Sequence, residues 1–276
     1  MTTPADQKID LFIQQCSPWG RSGYPAKPAG SDPASLRNIV ESWIEEKTRM
    51  HGNAALALLA RVLPILREAE KQLPQAEAPR LLFRIDQTAL VKSPASVLDK
   101  MTRGWDPGAG KAPAVDFGNS LAEMTDLGRF RVVVNFLSDI ERVCSALEQP
   151  YAGPGAAVLS AAQEAFEREF ALEPNRLVDL VNQEPKDRTK GERCRKGVLY
   201  PRSRPDLKVE VQVETMLQEA WDKKDHSLIY EPRRRGEPVH PQDNREMFAM
   251  SELLYVADLT FDRLRESIVA RRKSKE

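Results

Sequence analysis

An α/β (α+β) domain, a mixed sheet flanked by helices with further helices at both ends, is predicted by three observations. Val209, Val211 and Val213 alternate with Lys208, Glu210, Gln212 and Glu214, and Phe130, Val132 and Val134 alternate with Arg129, Arg131 and Val133. A period of two puts the apolar set on a core and the charged set in a line on the other face. Between and around these segments, apolar residues recur at helical spacing.

Taken in order, the chain opens with a short helix and then a Gly/Pro/Ser-rich stretch from Ser17 to Pro33 that reads as irregular linker. Leu36, Ile39, Val40, Trp43 and Ile44 share one helix face. A second helix is expected from Ala54 to about Leu73, kinked or split at Pro64. Leu81 to Ile85 reads as a strand, Ile140 to Leu147 as a helix, and Ala156 to Phe170 as a helix or part of one. Met247, Leu253, Leu254, Val256, Phe261 and Leu264 lie on a last helical period that runs into a frayed basic end, Arg271 to Lys275. The expected organisation is an N-terminal segment and linker (1–33), a helical extension (34–78), a sheet domain (79–240) and a C-terminal helix with basic tail (241–276).

Composition limits the function classes. With 276 residues, 41% hydrophobic and 30% charged, the chain has the make-up of a soluble globular protein. Lys plus Arg equals Asp plus Glu, 41 each, so no global basic field argues for nucleic acid, and phosphate affinity must be local. Cys16, Cys144 and Cys194 are odd in number and widely spaced, which suits neither a disulfide framework nor a zinc site. A reduced cytoplasmic location is the expectation, since the N-terminus lacks the form of a cleavable signal and no membrane span is evident; a toxin exported without such a signal would look the same.

The charged residues suggest a chemistry. Two strands side by side would bring Asp126, at the mouth of the first, to Glu210 beside Arg131; a solvated sheet face is the plainer reading of the same alternation. Upstream, Lys92-Ser93-Pro94 has the form of a helix start, with Ser93 as cap and Pro94 in the first turn. Free N–H groups there favour phosphate, and Lys92 adds charge. Ser96, Lys100 and Arg103, spaced by four and three residues, share a helix face that is either solvent-exposed or phosphate-binding. His226 has Asp222 and Tyr230 one turn to either side, as an oriented structural histidine or a contact at a cleft edge would.

In this order, Val91-Lys92-Ser93 with Ser96 and Lys100-Met101, then Asp126, Gly128 and Arg131, then Glu210-Val211-Gln212-Val213-Glu214-Thr215, then Ala220-Trp221 with His226 and Tyr230 resemble the synthetase domain of the RelA/SpoT family of alarmone (ppGpp) synthetases, over residues 80 to 232. The resemblance implies a nucleotidyltransferase-like fold and Mg2+-dependent transfer of pyrophosphate from ATP to the 3′-hydroxyl of a purine nucleotide. It implies Asp126 as a metal ligand and Glu210 as a metal ligand or the group that activates the acceptor 3′-hydroxyl, with Arg131 beside them neutralising phosphate or stacking on adenine; pairing with a strand carboxylate is the structural alternative for Arg131. Lys92, Ser93, Ser96, Lys100, Arg103, Gln212 and His226 would form the ATP side. Small relatives are often oligomeric, so a homo-oligomer is a further implication. No histidine is followed by aspartate, so the family's hydrolase domain is absent from this chain.

The departures are as informative. Gly128 sits one residue early in its motif. Ala89-Leu90 stands where the family has Gly-Arg, removing an arginine on the adenine side, for which Arg84 or Arg80 are candidate substitutes. After Pro185-Lys186, Glu192 stands at the tyrosine of the acceptor motif and Lys196 at its histidine, and Glu214 replaces an arginine. The same stretch carries Lys186, Arg188, Lys190, Arg193, Arg195 and Lys196, a mobile solvated loop or a site for a phosphate-rich acceptor. GDP or GTP, an adenosine nucleotide and the 3′ end of tRNA are the acceptors to weigh, against a domain that has lost catalysis and binds a nucleotide, RNA or protein partner.

Overall fold

The computed structural model describes residues 4–15, 27, 30–71, 73, 81–103, 105, 117–148, 160–173, 177–184 and 191–274. The first helix, α1 (Pro4–Gln15), is followed by the long α2 (Pro33–Lys71). Then come β1 (Leu82–Asp86), α3 (Pro94–Thr102), α4 (Phe117–Glu123), β2 (Gly128–Val134), α5 (Leu137–Glu148) and α6 (Ala161–Glu169). The remainder is β3 (Phe170–Leu172), β4 (Val178–Asp179), β5 (Arg195–Pro201), β6 (Val209–Thr215), α7 (Met216–Asp225), a π-turn (His226–Tyr230), α8 (Glu231–Arg234) and α9 (Pro241–Lys273). Among the described residues, no helix is long and apolar enough to cross a membrane.

The sheet is open and mixed, in the order β1-β2-β6-β5-β3, with β4 paired to β5. β2 and β6 run parallel, with Gly128 opposite Val209, Arg129 opposite Glu210 and Arg131 opposite Gln212; the other pairings are antiparallel. Period two then separates the faces as expected. Phe130, Val132 and Val134 join Val209, Val211 and Val213 in the main core, beneath α2 and α5. Arg129, Arg131, Glu210, Gln212 and Glu214 share the other face.

The helix expected around Leu36–Ile44 and the one expected from Ala54 to about Leu73 are a single helix, and Pro64 does not split it. Val62, Ile65 and Leu66 keep the apolar stripe of α2 buried through the proline, whereas Pro64 and Ala60, whose carbonyl loses its intrahelical partner, face solvent. Water can satisfy that carbonyl, so the helix continues. The N-terminal half of α2 forms a second core with α1 and α3, from Phe12, Ile13, Val40, Ile44, Leu98 and Met101 among others. Its crossing point over the sheet is set by glycine: a Cβ on Gly128 would lie 2.6 Å from the His51 carbonyl oxygen. Only a bare backbone allows that approach.

At the other end α9 is clamped by polar contacts. Asp258 accepts from Thr215 at 2.6 Å, Arg265 reaches Asp139 at 2.9 Å, and the Trp221 indole donates to the Met247 carbonyl at 2.7 Å. The expected frayed basic end is helical through Lys273, where Arg271 to Lys273 lie at the negative end of the helix dipole. Of the expected 156–170 helix, residues 161–169 are helical, while 156–159 lie outside the described residues, as does nearly all of the Ser17–Pro33 linker.

Candidate active site

The first half of the site is made by a short backbone pairing. The Lys92 amide donates to the Leu127 carbonyl at 2.9 Å and the Arg129 amide to the Leu90 carbonyl at 2.9 Å, with Val91 bridged to Gly128. This lays residues 90–92 along the entrance to β2 and brings Lys92 to Asp126. Ser93 then caps α3, accepting from the Ser96 amide at 3.3 Å, with Pro94 in the first turn. Lys100, two turns along, completes the group: Asp126 receives Lys92 at 2.5 Å and Lys100 at 2.8 Å. Burial alone would raise the Asp126 carboxyl, but the hydrogen bonds from Lys100 and Lys92 reverse that and hold it at about 2. Lys92, the most enclosed of the three, is itself pushed below the usual lysine range by desolvation.

Glu210 lies on the neighbouring strand opposite Arg129. Its Oε1 accepts from Gln212 at 2.7 Å, and it makes no ion pair among the described residues. The other amide atom of Gln212, Oε1, is buried without a hydrogen-bond partner. Further along the same face, Arg131 is gripped by Asp222 at 2.6 Å and faces Glu214 at 3.5 Å. Burial opposes the Arg131 charge, and those two carboxylates more than offset it. Glu214, with a side chain only 3% exposed, has the reverse environment. Desolvation, with Asp222, Glu219 and Glu192 adding to it against Arg131, lifts its carboxyl to about 8.

Between these ends is an open cleft of about 250 Å³ lined by Asp86, Thr88, Ala89, Arg129, Phe130, Arg131, Gln212, Asp222, Lys223 and His226. The structure thus brings Arg131, Gln212 and His226 together at one cleft, with Lys92, Lys100, Asp126 and Glu210 at its Arg129 edge. Ser93 and Ser96 belong to the α3 cap, where the Ser93 hydroxyl donates to Ser96 at 2.9 Å. His226 is largely exposed, 3.6 Å from Glu231 and stacked obliquely on Tyr230, while its neighbour Asp222 turns to Arg131.

Other residues go elsewhere. Arg103 does not share the face of Lys100: α3 ends at Thr102, Arg103 takes an extended backbone, and its guanidinium bonds Asp99 at 3.1 Å and Tyr230 at 2.7 Å. Arg193 does not join an acceptor cluster. It is buried under α9, its Nη2 shared between the two carboxylate oxygens of Glu252 at 3.0 and 2.9 Å, its Nη1 bonded to the Val181 carbonyl and its guanidinium stacked 3.8 Å over Tyr255, contacts that outweigh exposure of its charge. Lys186, Arg188 and Lys190, like Pro185 and Arg80, lie outside the described residues. Arg84 is held by Glu219 and, at 3.5 Å, by Asp86. Glu192 and Lys196 pair with each other at 2.7 Å, and Lys196 lies opposite Gln212 on the cleft face. Arg129 and Lys223 were not singled out by sequence, and Asp222 entered only as a neighbour of His226; alternation places Arg129 on the cleft face, but nothing local marks Lys223.

No family model matches this sequence, and no curated protein does. Solved structures do. The small alarmone synthetase 1 from Bacillus subtilis superposes with a TM-score of 0.57 at 18% identity, covering 81% of this chain and 98% of that one. The small alarmone synthetase 2 from the same organism gives 0.55 at 16% identity, over 81% and 98%. A GTP pyrophosphokinase family protein from Streptococcus pneumoniae gives 0.52 at 15%, over 79% and 94%. The chain therefore has the fold of the small alarmone synthetases, a mixed α+β architecture with an open sheet between helices.

Proposed function

We propose that the protein is a pyrophosphokinase that transfers the β,γ-diphosphate of ATP to the 3′-hydroxyl of a nucleotide, releasing AMP. The observation that supports it most is the convergence on one sheet face of Asp126, its two lysines, Glu210, Gln212 and Arg131, in a fold shared with synthetases of that kind. The acceptor oxygen attacks the β-phosphorus, the bond from that phosphorus to the oxygen bridging to the α-phosphorus breaks, and the hydroxyl proton leaves to a base.

The donor set suits Mg2+: two carboxylates, Asp126 and Glu210, with the unsatisfied Gln212 carbonyl oxygen beside them. No cluster of three or more His, Cys, Asp or Glu able to cage a metal occurs among the described residues, which is ordinary for an ion held chiefly by one or two carboxylates and substrate phosphates. When bound, it would neutralise charge developing on the phosphates. Asp126, ionised far below neutrality, accepts no proton there, so Glu210 is the residue proposed to take the acceptor's proton. Lys92 and Lys100, now satisfied by Asp126, are positioned to turn to phosphate oxygens, and Arg131 to exchange Asp222 for phosphate.

A second reading, a nucleotide- or partner-binding module without turnover, is favoured by the mutual pairing of Glu192 and Lys196 where acceptor contacts were expected. One assay separates the two: AMP release from ATP and Mg2+ with GDP, GTP, AMP, ADP, ATP and deacylated tRNA offered separately. AMP formation with one acceptor, reduced by about a thousandfold or more in Asp126→Ala, is the expected outcome. No AMP from folded protein with any of these acceptors supports the binding module instead.

A further inference from the structure

Charges around the cleft are almost all satisfied within the protein. Arg131 pairs with Asp222, and Lys223 lies 3.3 Å from Glu219. Lys92 and Lys100 share Asp126. Among the cations Arg129 is the exception: among the described residues its side chain makes no ion pair and no hydrogen bond, although it is half-buried and lines the cleft. A half-enclosed guanidinium without a carboxylate is an unusual expenditure of desolvation in a protein that neutralises its neighbours so thoroughly.

Its placement follows from the backbone. Gly128 faces α2, where the His51 carbonyl leaves no room for a Cβ, so the next residue must face the cleft. That residue lies opposite Glu210 on β6, and its amide is bonded to Leu90, next to Ala89 on the cleft wall. The early position of the glycine therefore has a consequence on the cleft side, where the strand presents arginine.

We propose that Arg129 binds the polyphosphate of the nucleotide substrate, at the edge of the cleft between Glu210 and the Lys92–Asp126 pair. A planar guanidinium donates two parallel N–H bonds to phosphate oxygens and remains charged at all working pH values. Arg129 and Glu210 then divide the labour on adjacent strands: the cation takes phosphate and the carboxylate remains free for metal or proton. This rests on the pyrophosphokinase reading.

Titration calorimetry with ATP, inorganic tripolyphosphate and adenosine, on wild type, Arg129→Ala, Arg129→Lys and the exposed-site control Lys224→Ala, tests it. Arg129→Ala is expected to weaken ATP and tripolyphosphate roughly tenfold or more, with partial recovery in Arg129→Lys and adenosine binding unaffected. Unchanged melting would show that the loss is not one of folding. ATP affinity in Arg129→Ala equal to that of Lys224→Ala overturns the assignment and leaves the pyrophosphokinase reading standing. An equal loss for adenosine also overturns it, placing the arginine against the base. Wild-type protein that binds neither ATP nor tripolyphosphate overturns both.

Discussion

The two ends of the polar sheet face hold the same chemical group in opposite states. Asp126, between Lys92 and Lys100, is held at about 2; Glu214, enclosed with Asp222 and Glu219 nearby, is lifted to about 8. Both are mostly buried, with side chains 16% and 3% exposed. Burial disfavours the charged form at each, and hydrogen-bonded ammonium groups reverse that only at Asp126. One end is prepared to remain anionic beside cations, as a phosphate and metal site requires. The other keeps a neutral carboxyl under an arginine already claimed by Asp222.

Replacing Glu214 by Gln should produce the largest change in stability. A carboxyl raised in the folded state contributes stability that is present below its unfolded value, near 4.5, and lost as pH rises toward 8. Wild type should lose about 1.4 kcal/mol per pH unit in that window from this group, about 3 kcal/mol by pH 7. Urea denaturation across pH should show this slope in wild type and its disappearance in Glu214→Gln; an unchanged slope would break the contrast.

The opposite sign is expected at Asp126. Its depressed value contributes stability present above about pH 4 and lost as pH falls toward 2. Asp126→Asn should remove about 2 kcal/mol of this acid-sensitive stability. If both substitutions altered the same limb of the pH profile, the two ends would not differ as described. A smaller effect sharpens the local part of the comparison: Ser93→Ala removes the cap that starts α3 and should cost about 1 kcal/mol in thermal or chemical unfolding. A much larger cost would mean that the lysine–Asp126 group depends on the cap cooperatively.

Local chemistry made a good part of this molecule legible. Alternation located β2 and β6 and assigned their faces, and Ser93-Pro94 marked the start of α3, because strand period and helix capping depend on residues a few positions apart. Pairing with a strand carboxylate, the structural alternative for Arg131, is met by Glu214 at 3.5 Å, but the nearer partner, Asp222 at 2.6 Å, comes from helix α7. Pro64 misled, since whether a proline breaks a helix depends on whether its orphaned carbonyl meets water. Arg193 and Arg195 looked like one basic run, yet one is drawn under α9 and the other to Asp179 and Glu141.

By itself the sequence determined which residues could face together: period two set the faces of the strands, and Lys92-Ser93-Pro94 marked a helix start with one lysine just ahead of it and Lys100 on α3. Tertiary structure decided which charges meet. Asp126 is ionised because residues 26 and 34 positions upstream are folded onto it, the Glu214 carboxyl is raised because it is buried near Asp222 and Glu219 of α7, and Arg129 is open to the cleft because α2 occupies the other side of Gly128. Desolvation and Coulomb interaction act between groups close in space, and spatial closeness over such separations is a property of the packed chain rather than of any local stretch.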